Sequence, residues 1–148
     1  MNEIVISGTG VFTPKESITN KELVEAYNTY AEKFNTLNKD LIDKGELDAL
    51  ELSNEDFIYN ASGIKNRYVM DKKGILDPDI MHPILDRRNN EEPSILAEMS
   101  IEAAKQALEV SGKKPSDIDA VITACSNLER AYPAIAIEVQ QYLGIQGF

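Results

Sequence analysis

The residues from Asp117 onward most constrain what this chain can fold into, because they spell a strand, a turn and a helix in immediate succession. Residues 120–125, Ala-Val-Ile-Thr-Ala-Cys, form a near-continuous apolar run after the turn signals of Lys114-Pro115-Ser116-Asp117. A run of that length predicts a buried strand in a parallel sheet covered on both faces. Pro133 then opens a helix whose apolar positions Ile135, Ala136, Val139, Tyr142 and Leu143 recur at helical spacing, and Gly144 is placed to stop it. Residues 145–148 read as the approach to another strand. The expected unit is a crossover that stops short of its return strand.

The rest of the chain alternates in the same way. Residues 3–10 are a β-rich run that leaves through a Gly-containing turn and Pro14. Thr19 or Asn20 then caps a helix with Leu23, Val24, Tyr27, Tyr30, Ala31 and Phe34 on its apolar face. Residues 36–50 continue with helix formers, broken at Gly45, and read as an added helical hairpin. Ser53 or Asn54 caps a short helix over residues 55–60, and Ser62-Gly63 turns the chain into the alternating run 64–70. Residues 71–92, with Gly74, Pro78, Pro83 and the pair Arg87-Arg88, are the least regular part and predict a long loop, a feature that is usually functional or mobile. The clearest helix covers 93–111, with Leu96, Met99, Ala103, Ala107 and Val110 on one face and Gly112 at its end. This order predicts an α/β fold, a mixed sheet covered by helices.

Composition narrows the function classes. The 148 residues match one ordinary domain, and 43% hydrophobic residues suffice for a core. A net charge of -10 argues against nucleic acid and against anionic membrane surfaces, since phosphates attract clustered Lys and Arg. No apolar run approaches the ~20 residues that span a bilayer, and the amino terminus enters a strand pattern at once, so a cytoplasmic location is expected. One cysteine excludes an intramolecular disulfide and a zinc site of paired cysteines.

Individual residues support little chemistry on their own. Cys125 invites a nucleophile reading, but it closes a hydrophobic run with Glu129 as the nearest ionisable neighbour in sequence, so a structural or incidental thiol is expected. Gly8-Thr9-Gly10 lacks the remaining glycine of a dinucleotide loop, and Phe12-Thr13-Pro14 stands where a helix should open, so a strand turn is expected. His82, the single histidine, lies near Asp77, Asp79 and Asp86 in a proline-interrupted segment that offers no rigid ligand set. No metal and no cofactor is expected.

Four ordered blocks carry a resemblance: Ile4-Val-Ile-Ser-Gly-Thr-Gly10 with Pro14, Thr19-Asn20, Ser62-Gly-Ile-Lys-Asn-Arg67, and residues 117–148. Together they resemble the amino-terminal part of β-ketoacyl-[acyl carrier protein] synthase III, a condensing enzyme of the thiolase superfamily. The resemblance implies an incomplete amino-terminal half of a thiolase-like fold, with inserted segments at about 36–52 and 71–92. It implies an intact protein that condenses an acyl thioester with malonyl-acyl carrier protein, and a homodimer. The family's nucleophilic cysteine follows a strand that would begin near Phe148, and its histidine and asparagine belong to the second half. None of the three matches a residue here, so no catalytic residue is assigned and the chain alone is expected to be inactive.

The resemblance also marks substrate-binding positions. An aromatic at the position of Phe57 and an arginine at the position of Ala61 hold the coenzyme A adenine in the family. Here Ala61 replaces the arginine, which weakens coenzyme A as acyl donor and favours an acyl carrier protein. Apolar anchoring of the short helix is an equal reading for Phe57. Arg67 is a candidate phosphate contact, although a strand-edge salt bridge is the commoner fate of such a residue. Tyr132 matches an aromatic that closes the end of the partner's acyl pocket across the dimer, and packing at a helix start is its ordinary alternative. The acidic balance places the main carrier-protein docking patch elsewhere, because acyl carrier proteins are themselves acidic. A different class of function stays open: a short binding or regulatory module that pairs with a full-length condensing enzyme through an unpaired sheet edge. A small nucleotide-binding domain has only Gly8-Thr9-Gly10 behind it.

Overall fold

In the computed structural model, which describes residues 4–146, Thr19 starts the longest helix. Its side chain accepts from the Glu22 N–H while Glu22 reaches back to the Thr19 backbone, a reciprocal capping box. The expected cap is therefore Thr19. Two compact units divide the chain: Thr13–Asp86, and Met1–Phe12 with Arg87–Phe148.

The Thr13–Asp86 unit contains strand β1 (Glu16–Thr19), helices α1 (Asn20–Leu37), α2 (Lys39–Asp43) and α3 (Glu55–Ser62), strand β2 (Asn66–Val69) and helix α4 (Lys72–Leu76). β1 and β2 pair antiparallel, Glu16 opposite Val69 and Thr19 opposite Asn66. Ile18, Ala26 and Ala31 are its buried apolar residues. Asn54 caps α3, and Gly63 ends it in the left-handed conformation, as the Ser62-Gly63 turn predicts. The hairpin expected over 36–50 is instead the single short helix α2, ended near Gly45 at φ 70°, followed by a strap without helix or strand that leads to α3.

The segment from 71 onward opens with the five-residue α4 and then runs without helix or strand through Ser94. Asp71 accepts from the Lys73 and Gly74 N–H groups to cap α4, and from the Ile84 N–H at 2.5 Å to close the chain behind it. Lys72 pairs with Glu22 at 2.6 Å and Asp79 with Lys33 at 2.9 Å, so two ion pairs fasten this segment to α1.

The other unit is built on α5 (Ile95–Ser111), a 3-10 turn (Pro115–Asp117) and α6 (Ile135–Leu143). Ser94 caps α5, and Gly112 and Gly144 end α5 and α6 in the left-handed conformation. Ala97, Ile101, Ile135 and Val139 form the core between the two helices. The expected stripe on α5 is thus displaced: Ala97 and Ile101 are buried and Val110 is exposed. On α6 the reading of Ile135 and Val139 as inward is right, whereas Tyr142 stays exposed and donates its hydroxyl to the Glu91 carbonyl. Gly8 and Gly10 lie directly against the α5 backbone. A Cβ on Gly10 would sit 1.9 Å from the Ala103 carbonyl oxygen, and one on Gly8 2.3 Å from that of Ala107. Close backbone approach therefore accounts for both glycines.

Two expected strands are not formed. Residues 120–125 lie outside any helix or ladder, with Val121 half-buried against the core and Ile122 92% exposed. Described residues 4–10 are likewise unpaired, and Ile4 and Ile6 face solvent. A strand exists through its ladder, and neither run meets one among the described residues. Glu3 and residues 147–148, part of the first and last expected strands, lie outside the described residues.

Candidate functional site

Phe57 stands in the first turn after the Asn54 cap of α3, whose side chain accepts from the Phe57 N–H at 2.8 Å. Its ring is 66% exposed, which makes it an open wall rather than a core anchor. It borders a cleft of about 600 Å³ shared by α1, the strap before α3 and the chain after α4. Leu23, Val24 and Tyr27 of α1 form one side, Leu52 and Ile58 another, and Met81 a third. Glu51, Ser53 and Asn54 supply the polar lining, and no Lys or Arg contributes to it.

The strap is held by side chains that imitate a β-ladder. Asn28 donates Nδ2–H to the Ser53 carbonyl at 3.0 Å and accepts from the Ser53 N–H at 2.8 Å. Asn35 does the same with Leu50, at 2.9 Å in both directions. Tyr27 adds a bond from its hydroxyl to the Glu51 carbonyl. Nothing in the composition marks these asparagines as paired with a loop, although their seven-residue spacing on one helix is legible.

Arg67 lies on β2, half-buried, and donates Nη1–H to Asn20 Oδ1 at 2.8 Å. The expected salt bridge is therefore replaced by a neutral partner. Asn20 is buried and itself donates to the Ile64 carbonyl, so it ties the start of α1 to the turn before β2. Two carboxylates of this unit are shifted. Glu22 is lowered from 4.5 to about 2, chiefly by its hydrogen bond to Lys72 and then by those from Thr19. Asp71 is lowered by the N–H of Ile84 first, then by those of Gly74 and Lys73.

Tyr132 belongs to the other unit, in the loop before α6, and is 89% exposed. That loop is anchored beside it. Glu138, 3% exposed, accepts from the Ser94 N–H at 3.0 Å and from the Ser94 hydroxyl at 2.6 Å, and it faces Arg130 at 3.6 Å. Glu129 accepts from the Ile95 N–H at 2.7 Å. Glu138 escaped the sequence reading because it sits between the buried Ile135 and Val139, where charge alone gives no sign of burial. Cys125 is exposed rather than buried in a strand, and its thiol donates to the Asn127 carbonyl. His82 is exposed, and among the described residues no three His, Cys, Asp or Glu side chains converge as metal ligands. Among the same residues no helix is long and apolar enough to cross a membrane.

Comparison with solved structures assigns the fold. The chain matches the priming β-ketosynthase of the R1128 polyketide pathway with a TM-score of 0.59 at 18% identity, covering 95% of this chain and 29% of that one. The architecture is part of a thiolase-like fold. No family model matches the chain. Curated relatives do: a β-ketodecanoyl-[acyl-carrier-protein] synthase of Pseudomonas aeruginosa is 55% identical over 125 residues, 84% of this chain and 36% of that protein. β-Ketoacyl-[acyl-carrier-protein] synthases III of Allorhizobium ampelinum and Rhizorhabdus wittichii are 30% and 28% identical, over 74% and 98% of the chain and 28% and 32% of their own lengths. The chain belongs to the β-ketoacyl-[acyl-carrier-protein] synthase III family, and it spans about a third of the length of these relatives.

Proposed function

We propose that this chain is the amino-terminal portion of a condensing enzyme that joins an acyl thioester to malonyl-acyl carrier protein in fatty acid or related biosynthesis. The observation that carries the reading is the 55% identity to a β-ketodecanoyl-[acyl-carrier-protein] synthase over 84% of the chain. In that reaction an enzyme cysteine takes the acyl group and expels the donor thiol. Loss of carbon dioxide from the malonyl group then leaves a carbanion that attacks the acyl carbonyl and releases the cysteine. A ten-carbon β-ketoacyl product requires an eight-carbon donor, because the condensation adds two carbons.

Phe57 and Arg67 are the proposed donor contacts, the ring flanking the thioester arm and the remaining guanidinium N–H groups meeting a phosphate. Their placement in one unit, with Phe57 open on a cleft, supports this. Ala61 in place of an arginine favours acyl carrier protein over coenzyme A as the donor's carrier. Tyr132 is the proposed closure of the acyl pocket across a homodimer, and its exposure supports a role against a second surface. Segments 36–52 and 71–92 are proposed insertions relative to the family, and a cytoplasmic location goes with the reading. The chain by itself is proposed to lack the nucleophile and its two partners.

A second reading, a module that pairs with a full-length relative, draws on the unpaired apolar residues Ile4, Ile6 and Ile122. The coding sequence past Phe148 separates the two. A continuing frame with a cysteine at a helix start is expected, and the protein it encodes should form β-ketodecanoyl-acyl carrier protein from an octanoyl thioester. A stop codon there, or no product, would overturn the first reading.

A further inference from the structure

We propose that the cleft beside Phe57 is a docking site for a partner protein that enters it as a basic amphipathic helix. Exposed apolar surface rimmed by charge marks a place of contact with another molecule. Leu52 is 54% exposed and Phe57 66%, and both border a cleft of about 600 Å³ whose lining is mainly aliphatic and aromatic. The rim carries one sign of charge. Glu51 lines the cleft, Glu55 and Asp56 lie between the lining residues Asn54 and Phe57, and Glu46 and Asp48 lead into the strap. All five are exposed, and none joins an ion pair among the described residues. No Lys or Arg falls between residues 45 and 64. Carboxylates grouped in this way repel one another, and a partner that brings cations relieves the repulsion. An acidic partner would add to it.

The construction of the walls selects a helix as the occupant. Asn28 and Asn35 are separated by two helical turns, about 10 Å. The groups they grip, Leu50 and Ser53, are three residues apart, about 10 Å in extended chain. Four hydrogen bonds thus hold the strap in register along α1, so the cleft is formed before a partner arrives. The same bonds, with that from Tyr27 to the Glu51 carbonyl, occupy backbone groups that strand addition would need. A helix asks for none of them. It needs an apolar groove, and Leu23, Val24 and Tyr27 of α1 supply one face of it, against which a second helix packs through side chains three and four residues apart. Met81, on the third side, adapts to such a surface because its side chain is unbranched and polarisable. Lys and Arg beside the apolar stripe of the partner then meet the rim carboxylates. Phe57 is also the proposed donor contact, so a docked helix and a donor exclude one another at its ring.

The test is titration of the isotope-labelled 148-residue protein with an amphipathic Leu/Lys peptide of about 15 residues, followed by amide NMR and calorimetry. Saturable binding is expected, with amide shifts centred on Tyr27, Leu52 and Phe57. Two control peptides share its length, one with Leu replaced by Ser and one with Lys replaced by Glu. Both should bind at least about tenfold more weakly. Leu52→Ser, at a side chain already exposed, should weaken binding about tenfold with the melting temperature unchanged. Joint replacement by Glu46→Gln, Asp48→Asn and Glu51→Gln should weaken it about tenfold and reduce its salt dependence, while the melting temperature holds or rises. Equal binding of the Ser peptide, which would mean charge attraction alone, would overturn the proposal. Shifts confined to residues 87–146, or binding unchanged in both variants, would do the same. So would a concentration-dependent dimer abolished by Leu52→Ser, which gives the cleft to a second copy of the chain. Loss of peptide binding in a longer protein that continues past Phe148 would also overturn it, by giving the cleft to that continuation.

Discussion

At the residue scale, Glu22 does two jobs with one carboxylate. It closes the capping box of α1 and pairs with Lys72, which fastens the segment after β2 to that helix. Its folded-state pKa of about 2 lies below the ordinary 4.5, so its contribution is fully present above the ordinary value and is lost as pH falls toward 2. Acid titration of Glu22→Gln should therefore show a shallower loss of stability between pH 4.5 and 2 than the parent, and parallel curves would contradict the assignment. Glu138 makes the opposite case, a buried carboxylate held by Ser94 and facing Arg130. Glu138→Ala strands these partners and should cost about 3 kcal/mol in urea unfolding. The Thr19 cap was legible because capping chemistry is written within four residues. Glu138 was not, since burial of a charge depends on what folds against it.

At the scale of elements, the helices were legible and the sheet was not. α1, α5 and α6 announce themselves through caps, periodicity and terminal glycines, all of which are local signals. The ladder that forms joins residues 16–19 to 66–69, and pairing over such a separation leaves no local trace. Apolar runs at 4–6 and 120–122 look like strands by composition, yet Ile6 and Ile122 face solvent. Gly10 has the sequence context of a turn residue, but its place is against the backbone of α5. Gly10→Ala should cost about 1–3 kcal/mol by denaturant unfolding, because the carbonyl of Ala103 cannot move without the helix. Asn28 and Asn35 carry the strap. Each replaced by Ala loses two partly buried hydrogen bonds and should cost about 1–2 kcal/mol, with faster amide exchange at Ser53 and Leu50 respectively.

At the scale of the whole molecule, the chain presents two compact units, a thiolase-like fold and the sequence of a condensing-enzyme family, over about a third of the length of its relatives. The family was legible because its motifs are short, ordered and local. The candidate site was legible only in part: Phe57 marked the cleft, while Leu52 and Met81, which also line it, lie in segments whose sequence shows no periodic pattern that places them there. The proposed function places the condensing groups outside these 148 residues. Carbon dioxide release from malonyl-acyl carrier protein, measured with the purified 148-residue protein and an octanoyl thioester, tests it most directly. No release above the protein-free rate is expected. Turnover with formation of β-ketodecanoyl-acyl carrier protein by this chain alone would contradict it.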